Sequence, residues 1–391
     1  MGHFPCRAGW RSRLASALVW ANITGLLAVS GCGFLGLYQS DCTAPQVPAP
    51  SESLSPIRLA LHYLQHTQLS ADQLDPHRVD YAGNWPQCFA FQPGGPSIRD
   101  TSPFMATFIH HALTLITEQH QGLLGLSDLD IEKARSMRTA AIALMLRFQA
   151  DAESPQAGTF GFWPPQSSAW LPGDLLLSGI GSLVGQGPQF MGVRAPINLS
   201  FYPEALAIPT DADDTALVYA ALLDHARLDG GPEVTESYER FFSDWRDVGQ
   251  TPRRNHAPWL PADSGAYLTW LNYGDDPADP RPNDVDIIVN ANVLYSLGRY
   301  GRLDTAGVAQ AVAIINAAIE SGAHRSGPDE ISLHYPDNLA LHYAVTRTYQ
   351  QSGVLDLAPA VELLREDLLD SVQTSDAGHC FWDRGAPHLN T

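Results

Sequence analysis

Basic side chains are scarce. Lys and Arg number 23 against 42 Asp and Glu, a formal net charge of −19. A uniformly acidic surface repels phosphate backbones and anionic lipid, so nucleic acid is excluded as a partner. Charge of either sign is thin at 17% of residues, while apolar residues make up 45%. That balance excludes disorder by composition and leaves material for a large core. Cysteine is sparse too, five in 391 residues, with no Cys-x-x-Cys pair. Glycine (32) and proline (29) are plentiful and imply long ordered loops between helices. The length suits one large domain or two small ones.

Arg7, Arg11 and Arg13 precede an uncharged stretch over residues 14–40 that contains Leu27-Ala28-Val29-Ser30-Gly31-Cys32. A basic region, an apolar region and small residues before a cleavage point describe a secretory signal. The run Val29-Ser30-Gly31-Cys32 resembles the bacterial lipobox. That resemblance implies a signal peptide over 1–31, lipidation at Cys32, and a protein anchored to a membrane on the periplasmic side of a bacterial cell envelope. The stretch is also long enough to span a bilayer, so an uncleaved anchor is the alternative. Residues 32–54 form the expected tether, and the Pro- and Ser-rich run over 43–55 supports it. With Cys6 in the leader and Cys32 lipidated, Cys42, Cys88 and Cys380 remain. Three cysteines cannot all pair internally, and no metal site is assigned to them. No cofactor is expected.

From residue 55 to the end, helix-period segments of two kinds alternate. Residues 55–68, 130–149, 233–248, 304–321 and 357–372 are amphipathic, with apolar residues at three- and four-residue spacing and charges between them. Residues 103–117, 213–228, 286–297 and 338–349 are apolar almost all round and must be buried on most sides. Alternating half-wet and buried helices predict an all-α domain over 55–391 in two concentric layers.

A second repeat lies in the loops. Gly158-Thr159-Phe160-Gly161-Phe162-Trp163, Gly265-Ala266-Tyr267-Leu268-Thr269-Trp270 and Gly378-His379-Cys380-Phe381-Trp382 follow amphipathic segments, and Tyr81-Ala82-Gly83-Asn84-Trp85 reads as a worn first copy. Each buried helix is then expected to open with an aspartate: Asp100, Asp211, Asp284 and Asp337. Aspartate caps free N–H groups and complements the helix dipole, so every one of these has a structural explanation to set beside any catalytic one.

Asp211-Ala212-Asp213-Asp214-Thr215-Ala216 resembles the Asp-x-Asp-Asp-Thr-Ala signature of class II terpene cyclases of the squalene–hopene cyclase type. The Gly/aromatic/Trp elements are similar to the QW repeats of the same superfamily, which includes the protein prenyltransferase β-subunits. The resemblance covers most of the chain from residue 55 and implies an α/α toroid. It departs from the family in three ways. The chain has room for one helical domain rather than two. Its count of inner helices leaves either an open ring or a further helix within 171–205. The inner helices carry Asp284 and His342 but no cysteine, so the zinc site of the prenyltransferases is not expected.

If the resemblance holds, the activity is an isomerase or lyase reaction. Asp213 would protonate an apolar isoprenoid, with Asp211 and Asp214 beside it. Three carboxylates within four residues cannot all ionise cheaply when buried, so at least one pKa should rise. A carbocation then needs aromatic faces and no nucleophilic water. Phe162, Trp163, Trp170, Tyr202, Tyr267, Trp270, Tyr335 and Trp382 are candidates for those faces, although core packing explains any one of them alone. Asp284, Asp286, His334 and His342 are candidate substrate contacts on the same rim, with His110 and His111 as buried histidines nearby. Arg253 and Arg254 are the paired basic spot able to hold a diphosphate or carboxylate. A different class of function fits the same pattern. α/α toroids also host glycan hydrolases and lyases, in which Asp213 and Asp286 would divide the acid and base work. A toroid that only binds its ligand is the third reading.

Overall fold

The computed structural model describes residues 47, 55–75, 78–85, 87–90, 97–100, 102–118, 126–150, 152–153, 156–162, 189–190, 193–194, 210–271, 283–326, 331–335, 338–374 and 380–381. The leader, Cys32 and nearly all of the expected tether lie outside them.

Ten helices carry the described chain: α1 (Pro56–Thr67), α2 (Pro103–Glu118), α3 (Asp128–Met145), α4 (Ala212–Asp229), α5 (Glu239–Asp244), α6 (Ile287–Arg299), α7 (Val308–Glu320), α8 (Ala323–Ser326), α9 (Asn338–Ser352) and α10 (Ala358–Ser371). Extended structure is confined to four antiparallel ribbons of two strands each. They are β1–β2 (Gln73–Asp75 with Arg78–Asp80), β3–β4 (Gln87–Ala90 with Ser97–Asp100), β5–β6 (Gln189–Phe190 with Val193–Arg194) and β7–β8 (Gln373–Thr374 with Cys380–Phe381). Each ribbon pairs only with its own partner strand and the helices dominate, so the fold is all-α. None of the described helices is long and apolar enough to cross a membrane.

Local chemistry sets the helix ends. Ser127 and Asp130 form a reciprocal capping box on α3, satisfying two orphan donors at once. Asp211 caps α4, which stops at Gly230 in the left-handed conformation at φ 71°. Asp286 caps α6 by accepting from the N–H groups of Ile288 and Val289.

Burial matches composition for α4 and α6, while α2 and α9, expected to be buried on most sides, each keep exposed residues such as Met105 and Tyr343. α6 lies against α4, α7 and α9; α4 also meets α2 and α3; α10 covers α7 and α9; and α1 lies on α3. Every residue of α6 from Ile287 to Leu297 is buried, as is α4 from Ala212 through Ala221. A helix wetted on no side must be apolar all round, which explains the composition of both. α2 and α9 meet through side chains, with the rings of Phe108 and Tyr343 5.7 Å apart.

Two expectations need correction. The segment over 233–248 does not form a full amphipathic helix. α5 covers only Glu239–Asp244, because Arg246 pairs with Tyr267 in an extended bridge and the Asp247 N–H bonds Ala266 O at 2.8 Å, drawing the chain into the glycine loop. The opening aspartates are also not uniform. Asp211 caps α4, but Asp286 rather than Asp284 caps α6, because only Asp286 immediately precedes the first helical residue. Asp100 lies in β4, ahead of α2 at Pro103. Asp337 lies outside the described residues.

Candidate functional site

The glycine loops are joined to the buried helices α4 and α6 by one device used twice. Thr215, four residues after the cap Asp211, accepts the Phe160 N–H at 3.0 Å and donates to the Phe160 carbonyl at 3.2 Å. Asn290, four residues after the cap Asp286, accepts the Tyr267 N–H at 3.0 Å and donates to its carbonyl at 2.9 Å. Phe160 and Tyr267 each sit two residues after a glycine at positive φ, 92° at Gly158 and 73° at Gly265. Only glycine reaches that backbone region without strain. Neighbouring hairpins are laced as well: the Asp211 N–H bonds Phe160 O, Ala212 N–H bonds Thr269 O, and Thr269 N–H bonds Asp284 O. This lacing places Asp211, Asp213, Asp284 and Asp286 at one rim. The threonine of the acidic motif is thus a structural tie.

Asp213 is 7% exposed. Its Oδ1 accepts the Asn292 amide at 2.6 Å, and its Oδ2 accepts the Tyr335 hydroxyl. Asn292 also lies 3.1 Å from the Tyr335 oxygen and accepts from the Arg347 guanidinium on α9. Burial pushes the Asp213 carboxyl up to about 6, against the two hydrogen bonds that favour its anion. Asp211 is raised as well, by burial first and then by the charge of Asp213, although its own cap bond to the Asp214 N–H at 2.7 Å opposes the shift. The pair therefore holds a proton at higher pH than an ordinary aspartate.

Asp286 is raised by burial as well, but Asp284 behaves oppositely. Asp284 is fully buried, yet its pKa falls below the usual carboxylate range, because His334 at 3.2 Å and the Thr269 hydroxyl outweigh burial. Burial works against the His334 cation, but Asp284 prevails and raises the imidazole to about 9. Its side chain is 30% exposed at the rim. The Trp270 indole donates to Asp284 at 3.2 Å and sets its ring edge-on to His334. Asp286 is saturated: Oδ1 takes the two cap N–H groups, and Oδ2 takes the Ser332 hydroxyl at 2.7 Å and the Leu333 N–H at 2.9 Å. Ser332 Oγ in turn accepts the Tyr335 N–H at 3.1 Å. Asp286 thus shapes the turn that lays Tyr335 over Asp213.

Beyond these carboxylates four helices contribute matching stripes. Asp213, Leu217 and Ala220 share a face of α4, as Asn292 and Tyr295 do on α6, Phe104, Phe108 and His111 on α2, and Tyr343 and Arg347 on α9. Leu217, Ala220 and Tyr295, with Phe104 and Phe108 against them, form an apolar cluster separate from the main core. The Phe104 ring lies 5.5 Å from Tyr335 and 6.4 Å from Phe162.

The structure therefore gathers Asp211, Asp213, Asp284, Asp286, His334, Tyr335, Phe162 and Trp270. Tyr267 turns away: it is wholly buried, with its ring 6.0 Å from Phe242 on α5, because its backbone is pinned by Asn290. His342 lies half-buried near the start of α9, and the bonds described above run to other residues. Asp214 is buried in the first turn of α4. Arg253 is no anion site, since Asp247 at 2.7 Å and the Pro261 carbonyl hold it. Trp163, Trp170, Tyr202 and Trp382 lie outside the described residues.

Asn292, Arg347 and the aromatic stripe of α2 were not picked out from the sequence. Their signal was present, since a buried polar residue within an apolar helix needs a partner inside the fold. Among the described residues, no group of three or more His, Cys, Asp or Glu is placed to hold a metal ion. An open cleft of about 610 Å³ lies elsewhere, between Leu303–Val312 and Gly353–Asp356, and includes none of the rim carboxylates. No protein-family model, curated protein or solved structure matches this chain.

Proposed function

We propose that the protein is a class II terpenoid cyclase-like enzyme in which Asp213 protonates an apolar isoprenoid held among the inner helices. The observation that carries this reading is the environment of Asp213. It is a buried carboxyl with a raised pKa, hydrogen-bonded through both oxygens, above a stripe of apolar and aromatic side chains. Donors on a carboxyl stabilise the anion left behind, so Asn292 and Tyr335 make proton release easier. The proton forms a C–H bond at one alkene carbon, the cation travels by ring closure, and loss of a different proton ends the reaction. The net change is an isomerisation. The walls supply ring faces to the cation. We further propose that the paired inner and outer helices are an α/α toroid, and that the leader tethers the domain to a bacterial envelope membrane through Cys32.

The glycan reading asked Asp286 to act opposite Asp213. Every lone-pair direction of Asp286 already has a donor, which leaves that pair with one working carboxyl.

The test is incubation of the purified protein with squalene and with prenyl diphosphates, followed by product analysis. A cyclised product from the wild type and none from Asp213→Asn supports the proposal. Conversion of no isoprenoid, or equal conversion by Asp213→Asn, overturns it.

A further inference from the structure

Among the described residues, two arginines are buried, Arg138 and Arg347, and Arg253 and Arg299 are partly buried. Arg138 pairs with Asp229, Arg253 with Asp247 and Arg299 with Asp224. Arg347 is 3% exposed, yet among the described residues no carboxylate forms a salt bridge with it. Its one hydrogen-bonded partner is the neutral Asn292 oxygen, and its Nε is buried with no partner. Its guanidinium lies over three rings: Tyr295 at 4.3 Å, Tyr343 at 5.0 Å and Phe108 at 5.4 Å. Ring faces ease the desolvation of a cation but do not neutralise its charge.

A second donor position of the same cage is also open. The His111 ring packs on Tyr295 and Tyr343, its Nδ1 lies 3.0 Å from the Tyr295 hydroxyl, and its Nε2 is buried with no partner. A Tyr295 hydroxyl donating to Nδ1 leaves the proton on Nε2, so the imidazole offers an N–H there. Burial and then the charge of Arg347 hold His111 down to about 3, which keeps the ring neutral. Of the cage residues, Tyr343 reaches solvent, at 42% exposed, while Arg347 and His111 lie buried behind it.

We infer that this cage is an anion subsite built on Arg347, and that its ligand is an amphipathic anion with a carboxylate or phosphate head on an apolar chain. The nearby Asp213 carboxylate meets Arg347 only through the Asn292 amide, and the head accepts from the unpartnered Arg347 Nε, with His111 as the second donor. The chain runs along Phe104, Phe108, Leu217 and Ala220, which form the separate apolar cluster on the same faces of α2 and α4. The inference deepens the proposed function by naming the polar end of its substrate, and rests on that reading only for which bond reacts.

The experiment is calorimetric titration of the full protein with octanoate, octyl phosphate, octanol and inorganic phosphate. The two amphipathic anions should bind roughly thirtyfold or more tightly than octanol. Inorganic phosphate should compete with them, and whichever of octanoate and octyl phosphate binds better names the head. Arg347→Met should erase the preference for the anions while octanol still binds, and Arg347→Lys should keep part of it. Octanol binding as tightly as octanoate and octyl phosphate, or an undiminished anion preference in Arg347→Met, overturns the inference. Should Arg347→Met fail to fold, the wild-type comparison decides alone. The titrations need no turnover, so a protein that binds the anions but converts no isoprenoid retains the subsite and loses only the proposed reaction.

Discussion

Asn292 donates its amide to Oδ1 of Asp213 across 2.6 Å, joining the second turn of α6 to the first turn of α4. Its carbonyl oxygen accepts from Arg347, so one buried amide links three inner helices and relays a positive charge toward the carboxyl. A leucine at 292 fits an apolar helix but strands both partners. Asn292→Leu should cost about 2–5 kcal/mol, read as a lower urea midpoint with an unchanged slope. A loss below half a kcal/mol would show that solvent replaces the amide.

Asp213 is not the cap of α4; Asp211 is. Asp213→Asn should therefore keep the fold, with a melting temperature within a few degrees of wild type, while turnover disappears. Wild-type activity should require the protonated acid. With the carboxyl near 6, kcat/KM should fall by roughly tenfold per pH unit well above that value. A flat profile between pH 5 and 8 counts against Asp213 as the acid.

Burial and the neighbouring Asp213 raise the folded-state pKa of Asp211. A raised carboxyl contributes stability that is full below its unfolded value and is lost as pH rises through the folded one. Asp211→Asn retains a capping oxygen but has no such charge to bury. The fall in melting temperature from pH 4 to pH 8 should be smaller in this variant than in wild type. An equal fall places that pH dependence in other groups.

The sign on the alkaline side comes from His334. Its pKa is raised to about 9, so its contribution is full below the ordinary histidine value near 6.5 and lost as pH rises through 9. His334→Gln should lower stability at pH 6 and leave it nearly unchanged at pH 10. Equal destabilisation at both pH values would mean that shape, not charge, holds the turn.

Thr215 and Asn290 occupy equivalent places in successive hairpins, each making two bonds to a loop backbone. Thr215→Val and Asn290→Leu should each cost about 1–3 kcal/mol in denaturant melts. A neutral result in either would remove that copy from the repeat.

The sequence alone determined the helical class, the buried character of the segments that became α4 and α6, and the aspartate cap of α4. Those features are local: helix period, capping preference and positive-φ glycine are written within a few residues of where they act. The 233–248 segment escaped that reading because its last residues pair with the distant glycine loop at Tyr267 rather than with their own helix. The choice of Asp286 over Asp284 as the cap turned on a two-residue offset that periodicity does not resolve. The site itself belongs to the tertiary structure. Asp213 meets Asn292, Tyr335 and Arg347 from separate inner elements, and Asp284 becomes a settled anion only because His334 arrives from fifty residues away. A pKa depends on burial and on neighbours across space, so two aspartates equally plain in the sequence end with pKa values moved in opposite directions.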